Sequence, residues 1–201
     1  MTASPGRPRR IIVGLSGASG VIYGIRLLQV LHEQHPEIET HLVASKAAER
    51  TIVEETDWSI QDVRALASVV YPIGDIGAAI ASGSFRTEGM VVIPCSIHTA
   101  GAIANCVTDT LLTRAADVCL KERRRLVLVV RETPFHLGHL RVMTALAEAG
   151  AVILPPVPAF YSRPKTLDDI INHTVGRVLD HFGVPHDIVR RWGEPESGSR
   201  R

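Results

Sequence analysis

Residues 126–130, Leu-Val-Leu-Val-Val, form an unbroken apolar run that ends on a charged pair, Arg131-Glu132. A half-solvated strand alternates polar and apolar residues. A β-branched run without alternation needs cover on both faces, the situation of a strand inside a parallel sheet. Shorter runs of the same kind occur at 10–14, 41–44, 90–94 and 151–154, with a weaker one at 69–71. Pro94 is expected to end the fourth of these strands in chain order. Between the runs lie helical patterns, among them Ser19 to Gln34, Lys46 to Glu55, Thr110 to Arg124, Leu137 to Ala149 and Thr166 to Phe182. Strands alternating with amphipathic helices predict an α/β fold: three layers, with a mostly parallel sheet between two helical layers.

The chain has 201 residues, 45% of them hydrophobic, enough for one such domain. We find no internal repeat or linker, and expect a single domain over 9–188 between a flexible N-terminal tail, 1–8, and a C-terminal tail, 189–201. A formal net charge of +1 gives no reason to expect nucleic acid or an anionic membrane as partner. Three cysteines without C-x-x-C spacing argue against a disulfide framework or structural zinc and fit a reducing compartment. No apolar run approaches the roughly 20 residues of a membrane span. The N-terminal segment lacks the hydrophobic stretch of a signal peptide. The expected location is the cytoplasm.

In an open parallel sheet, ligands bind beyond the carboxyl ends of the strands, so chemistry is sought there. Gly14-Leu15-Ser16-Gly17-Ala18-Ser19-Gly20 follows the first run. Its small residues let backbone N–H groups approach an anion at a helix start, or simply make a tight turn. The glycine spacing is G-x-x-G-x-x-G rather than G-x-G-x-x-G, which favours a mononucleotide or flavin over a dinucleotide. Ser45 follows the second run and can cap the next helix or donate to a phosphate. Pro94-Cys95-Ser96-Ile97-His98-Thr99 makes another hydroxyl-rich turn, in which Cys95 reads as a small buried residue. Arg131 can hold an anion bidentately and Glu132 can exchange a proton, or the two can form internal salt bridges. The prolines at 155, 156 and 158 make a shelf that either presents Tyr161 or only walls off the sheet end. Arg177, on the following helix, can reach the same crevice or stay solvated. His136 and His139 share a helix face without a third ligand at a telling spacing, so no metal is expected.

Taken together, GLSGASG, SKAA (45–48), SGSF (82–85), MVVIPCSIHT (90–99), TRAADVCLKERR (113–124), RETPFHLGHLR (131–141) and PPVPAFYSRP (155–164) resemble the UbiX/Pad family of flavin prenyltransferases, over roughly 9–192. The resemblance implies a flavodoxin-like Rossmann fold, a homododecamer and FMN bound between subunits. It implies that Gly17, Ala18 and Ser19 touch the flavin. Ser45 would bind the FMN phosphate, and Ser96, Ile97, His98, Thr99 and Arg131 would line the cofactor. Tyr161 and Arg177 would grip the phosphate of dimethylallyl phosphate, with Lys121 and Arg114. Glu55 and Glu132 fall on the family's acidic active-site positions; with Ser19 and Lys121 they form the expected catalytic set. His98 stands where many relatives carry Lys, so flavin contacts there differ.

The implied reaction needs no metal. An allylic phosphate leaves, its isoprenyl carbon bonds N5 of reduced FMN, and a second bond to C6 closes a fourth ring. The product would serve a UbiD-type decarboxylase. The rival readings are an FMN-dependent cysteine-type decarboxylase and an FMN-binding subunit of a decarboxylase. The first carries a Pro-Ala-(Ser/Met)-Ala-Asn-Thr segment where this chain has Pro94-Cys95-Ser96-Ile97-His98-Thr99.

Overall fold

Six strands make one sheet in a computed structural model that describes residues 8–193. The strands are β1 Arg9–Leu15, β2 Ile38–Ala44, β3 Val69–Tyr71, β4 Gly89–Cys95, β5 Arg125–Val130 and β6 Val152–Ile153. Their order is β3-β2-β1-β4-β5-β6 and every pairing is parallel. The fold is therefore a doubly wound α/β sheet whose direction of winding reverses between β1 and β4. The helices are α1 Val21–Gln34, α2 Lys46–Glu55, α3 Ile60–Ala65, α4 Ile97–Ala104, α5 Leu111–Lys121, α6 Leu137–Glu148 and α7 Leu167–His181. Of the expected tails, 1–8 and 189–201, residues 1–7 and 194–201 lie outside the described residues.

The pleat explains the unbroken apolar runs. Ile11, Val13, Leu15, Val91, Ile93, Val127 and Val129 pack under α1, α2, α3 and α7. Their alternates Ile12, Met90, Val92, Leu126, Leu128 and Val130 pack under α4, α5 and α6. Successive side chains point to opposite faces, and both faces are covered.

Two elements differ from expectation. Strand β4 does not stop at Pro94; it continues to Cys95, and its register with β5 is irregular between Val92 and Cys95. That irregularity absorbs the donor that proline lacks. Helix α3 was not anticipated because six residues are too few for a periodic signal. Ser59 caps it, accepting from Asp62 N at 3.1 Å and donating to Asp62 Oδ2 at 2.6 Å. Residues 189–193, expected as part of the tail, fold back so that Arg191 pairs with Asp180 on α7.

The charge run at 121–125 closes the amino-end edge of the sheet. Arg124 donates to the carbonyls of Gly83 and Phe85, and Arg125 to that of His181. These bonds satisfy carbonyls that loops and a helix end would otherwise leave open.

Strand β2 carries a buried histidine. The His41 ring, 1% exposed, lies 3.0 Å through Nδ1 from the Tyr71 hydroxyl and meets Phe85 edge-on. Glu39 Oε1 stands 3.2 Å from Nε2. Burial lowers the His41 pKa below 6.5; Glu39 opposes this and Arg10 adds to it. The folded state therefore resists a proton that the unfolded chain accepts. This histidine costs nothing above pH 6.5, and stability falls as pH drops from 6.5 towards the lowered folded value. Over that window His41 should remove up to about 1.4 kcal/mol per pH unit. Urea unfolding at pH 7.5 and 5.5 checks this: His41→Gln should lose less stability between the two than the parent, and an equal loss would assign the dependence to other groups.

Candidate functional site

The crevice opens at the carboxyl ends of β1, β2, β4 and β5, where backbone bonds stitch the loops together. Ser45 N donates to Leu15 O at 2.9 Å, and Arg131 N to Cys95 O at 3.0 Å. The link across the winding reversal is made by Ser16, which sequence reasoning passed over. Its buried Oγ donates to Pro94 O at 2.8 Å and accepts from Ser96 N at 2.7 Å. One hydroxyl thus joins the loops after β1 and β4 at the point where the two halves of the fold diverge.

Three helices start around this point, and their ends are used differently. The start of α1 is taken by the protein itself: Glu55 Oε2 accepts from Gly20 N at 2.7 Å and lies 3.4 Å from Val21 N. The glycine-rich turn therefore does not offer this helix end to an outside anion. It packs instead against α2, so closely that a side chain at Gly17 would come within 2.3 Å of Ala47 Cβ.

At α2, Ser45 Oγ accepts from Ala48 N at 3.0 Å, which leaves its own hydrogen to donate outward. Lys46 and Ala47, the first residues of α2, are exposed. At α4, Ser96 Oγ accepts from Thr99 N at 3.2 Å and donates to Thr99 Oγ1 at 3.0 Å, with Ile97 half-buried and His98 exposed beside them. Ser45 had the alternative of serving only as a cap; its hydroxyl has a hydrogen to spare.

Arg131 and Glu132 form no ion pair among the described residues, which removes the internal salt-bridge alternative. Arg131 is exposed, and Glu132 is half-buried with Oε1 accepting from Thr133 N at 3.0 Å. The Arg131 charge reaches Tyr23 on α1, whose hydroxyl burial pushes to a higher pKa and Arg131 draws back. Cys95 is wholly buried and burial pushes its thiol up to about 12, so it is no nucleophile.

A second group lies at the β6 edge. The Tyr161 hydroxyl is 3.1 Å from His173 Nε2 on α7, and its ring meets Trp192 edge-on at 5.4 Å. Burial lowers the His173 pKa, and Arg177, four residues along, lowers it further. The Arg177 side chain is half-exposed and donates to Asp180 Oδ2 at 3.0 Å. Burial alone would raise the Asp180 pKa; hydrogen bonds from Arg191 and His186, and their charges, hold it below the usual carboxylate value.

Two expected site residues are not brought to either group within one protomer. Lys121 ends α5, pairs with Glu122, and shares a cavity with Arg125 and Gly150 at the opposite edge of the sheet. The length of β5 puts that edge roughly 20 Å from Arg131. Arg114 is tied down, donating to Ala81 O at 3.2 Å and to Asp117 at 3.1 Å. His136 caps α6 by accepting from Gly138 N at 3.0 Å, and its ring lies 3.6 Å from that of His139. No group of three metal-ligating side chains occurs among the described residues.

The crevice donors suit a phosphorylated mononucleotide: a free hydroxyl and first-turn N–H groups for a phosphate, an exposed guanidinium, and hydroxyls for a polar ring edge. Residues 2–179 match the flavoprotein family. The chain is 63% identical over 186 residues to the flavin prenyltransferase UbiX of Escherichia coli strain K12, covering 92% of this chain and 98% of that one. Among solved structures it resembles AnUbiX (PadA1) in complex with FMN and dimethylallyl pyrophosphate, with a TM-score of 0.91 and 50% identity over 94% of this chain and 100% of that one. It also resembles a dodecameric FMN-dependent UbiX-like decarboxylase from Escherichia coli O157:H7, with a TM-score of 0.90 and 52% identity over 92% and 100%.

Proposed function

The chain belongs to the UbiX family of flavin prenyltransferases, and from that premise we propose how its residues divide the work of moving a dimethylallyl group from dimethylallyl phosphate to N5 and C6 of reduced FMN. The observation that carries the assignment is the presence of two separate groups of donors suited to an anion, the crevice and the Tyr161–Arg177 face. Flavin storage, or a decarboxylase acting through flavin alone, needs only the first.

FMN lies in the crevice. Because Glu55 fills the start of α1, the FMN phosphate goes to α2, where Ser45 donates its spare hydrogen. Ser96, Ile97, His98, Thr99 and Arg131 line the ring. Glu55, by holding Gly20 and Val21, keeps Gly17, Ala18 and Ser19 against it. The reduced flavin supplies the nucleophilic nitrogen and carbon.

Tyr161 and Arg177 hold the leaving phosphate. Its C–O bond breaks with the electron pair going to phosphate, and the cationic and hydroxyl donors stabilise the charge that develops there. One isoprenyl carbon bonds N5, whose proton is released; protonation of the remaining double bond makes its far carbon the electrophile that bonds C6, and the proton displaced from C6 passes to Glu132 or to the departing phosphate.

Lys121 and Arg114 serve this phosphate from a second copy of the chain. The place of Lys121 at the far end of the sheet in one protomer supports a shared site. Support also comes from exposed apolar residues at Phe135, Leu137 and Leu140 around the start of α6, and at Val157, Phe160 and Leu167. Twelve copies, as in the dodecameric relative, would bury these faces. We further propose a single flavoprotein domain, a cytoplasmic location, and delivery of the product to a UbiD-type decarboxylase. Among the described residues no helix is long and apolar enough to cross a membrane.

The experiment is anaerobic: purified protein, reduced FMN and dimethylallyl phosphate are mixed and the released flavin is weighed by mass spectrometry. The expected result is a gain of one isoprenyl unit. Bound but unmodified FMN would overturn the transferase reading.

A further inference from the structure

An arginine on an exposed helix face ordinarily samples many rotamers, and ordering it costs free energy each time it binds. Arg177 is an exception, because Asp180 holds its Nη1 at 3.0 Å. A carboxylate this close would normally cancel the charge that a phosphate needs. Here Asp180 is shared. Arg191 donates to Oδ1 at 2.7 Å and to Oδ2 at 3.1 Å, and His186 Nε2 lies 3.0 Å from Oδ1. Each carboxylate oxygen thus meets two partners, which uses its lone-pair capacity. Arg177 thus shares its carboxylate with a second guanidinium and an imidazole.

The partners of Asp180 are themselves held in place. The chain after α7 turns back at Val184 and lies so close to the helix that a side chain at Gly176 would come within 2.1 Å of Val189 Cγ2 and 2.7 Å of His186 Cε1. The His186 side chain is fully buried.

We propose that Asp180 is a positioning residue for the prenyl-transfer reaction: it aims Arg177 at the leaving phosphate while Arg191 and His186, on the returning chain, occupy its remaining lone pairs from behind. This rests on the assignment of Arg177 to that phosphate. With Nη1 fixed by Asp180, the Nε and Nη2 edge of the guanidinium is presented to the ligand as a preformed fork.

Steady-state kinetics with dimethylallyl phosphate and reduced FMN, on Asp180→Asn, Arg177→Ala and the double variant, test the idea. Asp180→Asn should raise the KM for dimethylallyl phosphate roughly tenfold, lower kcat by no more than about threefold, and leave the affinity for FMN unchanged. A merely structural loss would move all three. In the Arg177→Ala background, adding Asp180→Asn should raise KM no further, because the two act through one contact.

If Arg177→Ala raises KM and Asp180→Asn does not, or if their effects simply add, the inference fails while the Arg177 assignment stands. If Arg177→Ala leaves KM unchanged, the assignment itself fails and the inference goes with it. Should Asp180→Asn not fold, Arg191→Gln carries the same test. It leaves Asp180 less neutralised and free to hold Arg177 back, so KM should rise by a similar factor, and an unchanged KM overturns the proposal.

Discussion

Glu132→Gln is expected to slow flavin prenylation by about a hundred- to ten-thousand-fold, the usual contribution of a positioned proton acceptor. The geometry makes this substitution informative. Glu132 is half-buried at the end of β5, and only its Oε1 is engaged, by Thr133 N at 3.0 Å. The amide oxygen of glutamine can accept that same bond, so the loop should keep its shape while the side chain loses its ability to take a proton. No ion pair among the described residues holds the Glu132 charge, which leaves its second oxygen available to the substrate. Anaerobic single-turnover measurements, with FMN binding as control, separate chemistry from assembly of the complex. A rate equal to the parent would assign the C6 proton to the departing phosphate.

Ser16→Ala should destabilise the fold by about 1–3 kcal/mol, as Ser96 N loses its acceptor and Pro94 O keeps only the longer bond from Ser16 N at 3.3 Å. Pro94 O loses a donor at 2.8 Å and Ser96 N loses an acceptor at 2.7 Å. The loss reaches function because Ser96 is the cap of α4. With its N–H unpaired, the loop after β4 is no longer referenced to the loop after β1, and FMN affinity should fall along with stability. Denaturant unfolding and FMN titration of the same variant check both. Unchanged stability would mean that water replaces the hydroxyl, and the bridge would then have no part in holding the crevice.

Much of the crevice was legible as a line of residues. Apolar runs with no alternation at 90–93 and 126–130 require a sheet covered on both faces, and in such a sheet the loops after the strands are the ligand loops. Ser45, Ser96, Thr99, Arg131 and Glu132 follow from that rule and sit where it puts them. Ser16 did not stand out, because a serine in a glycine-rich turn looks like any other small residue; its role depends on a carbonyl 78 positions away. Glu55 sits at the end of a polar helix, and nothing local indicates that it closes the start of another helix. The reach of α5 was also hidden. A motif match carries Lys121 into a site, but only the topology shows that its own protomer holds it on the far edge of the sheet.

By itself, then, the sequence determined the layer architecture, the parallel sheet, the flavin prenyltransferase family and the loops that lie beyond the strand ends. All of these rest on local periodicity and on short contiguous motifs. Tertiary structure alone decided which helix end is left for a phosphate, which serine locks the winding reversal, and which carboxylate steadies Arg177. Each of those depends on a contact between segments distant in the chain, and such contacts come into being only when burial of both faces of the sheet brings the segments together.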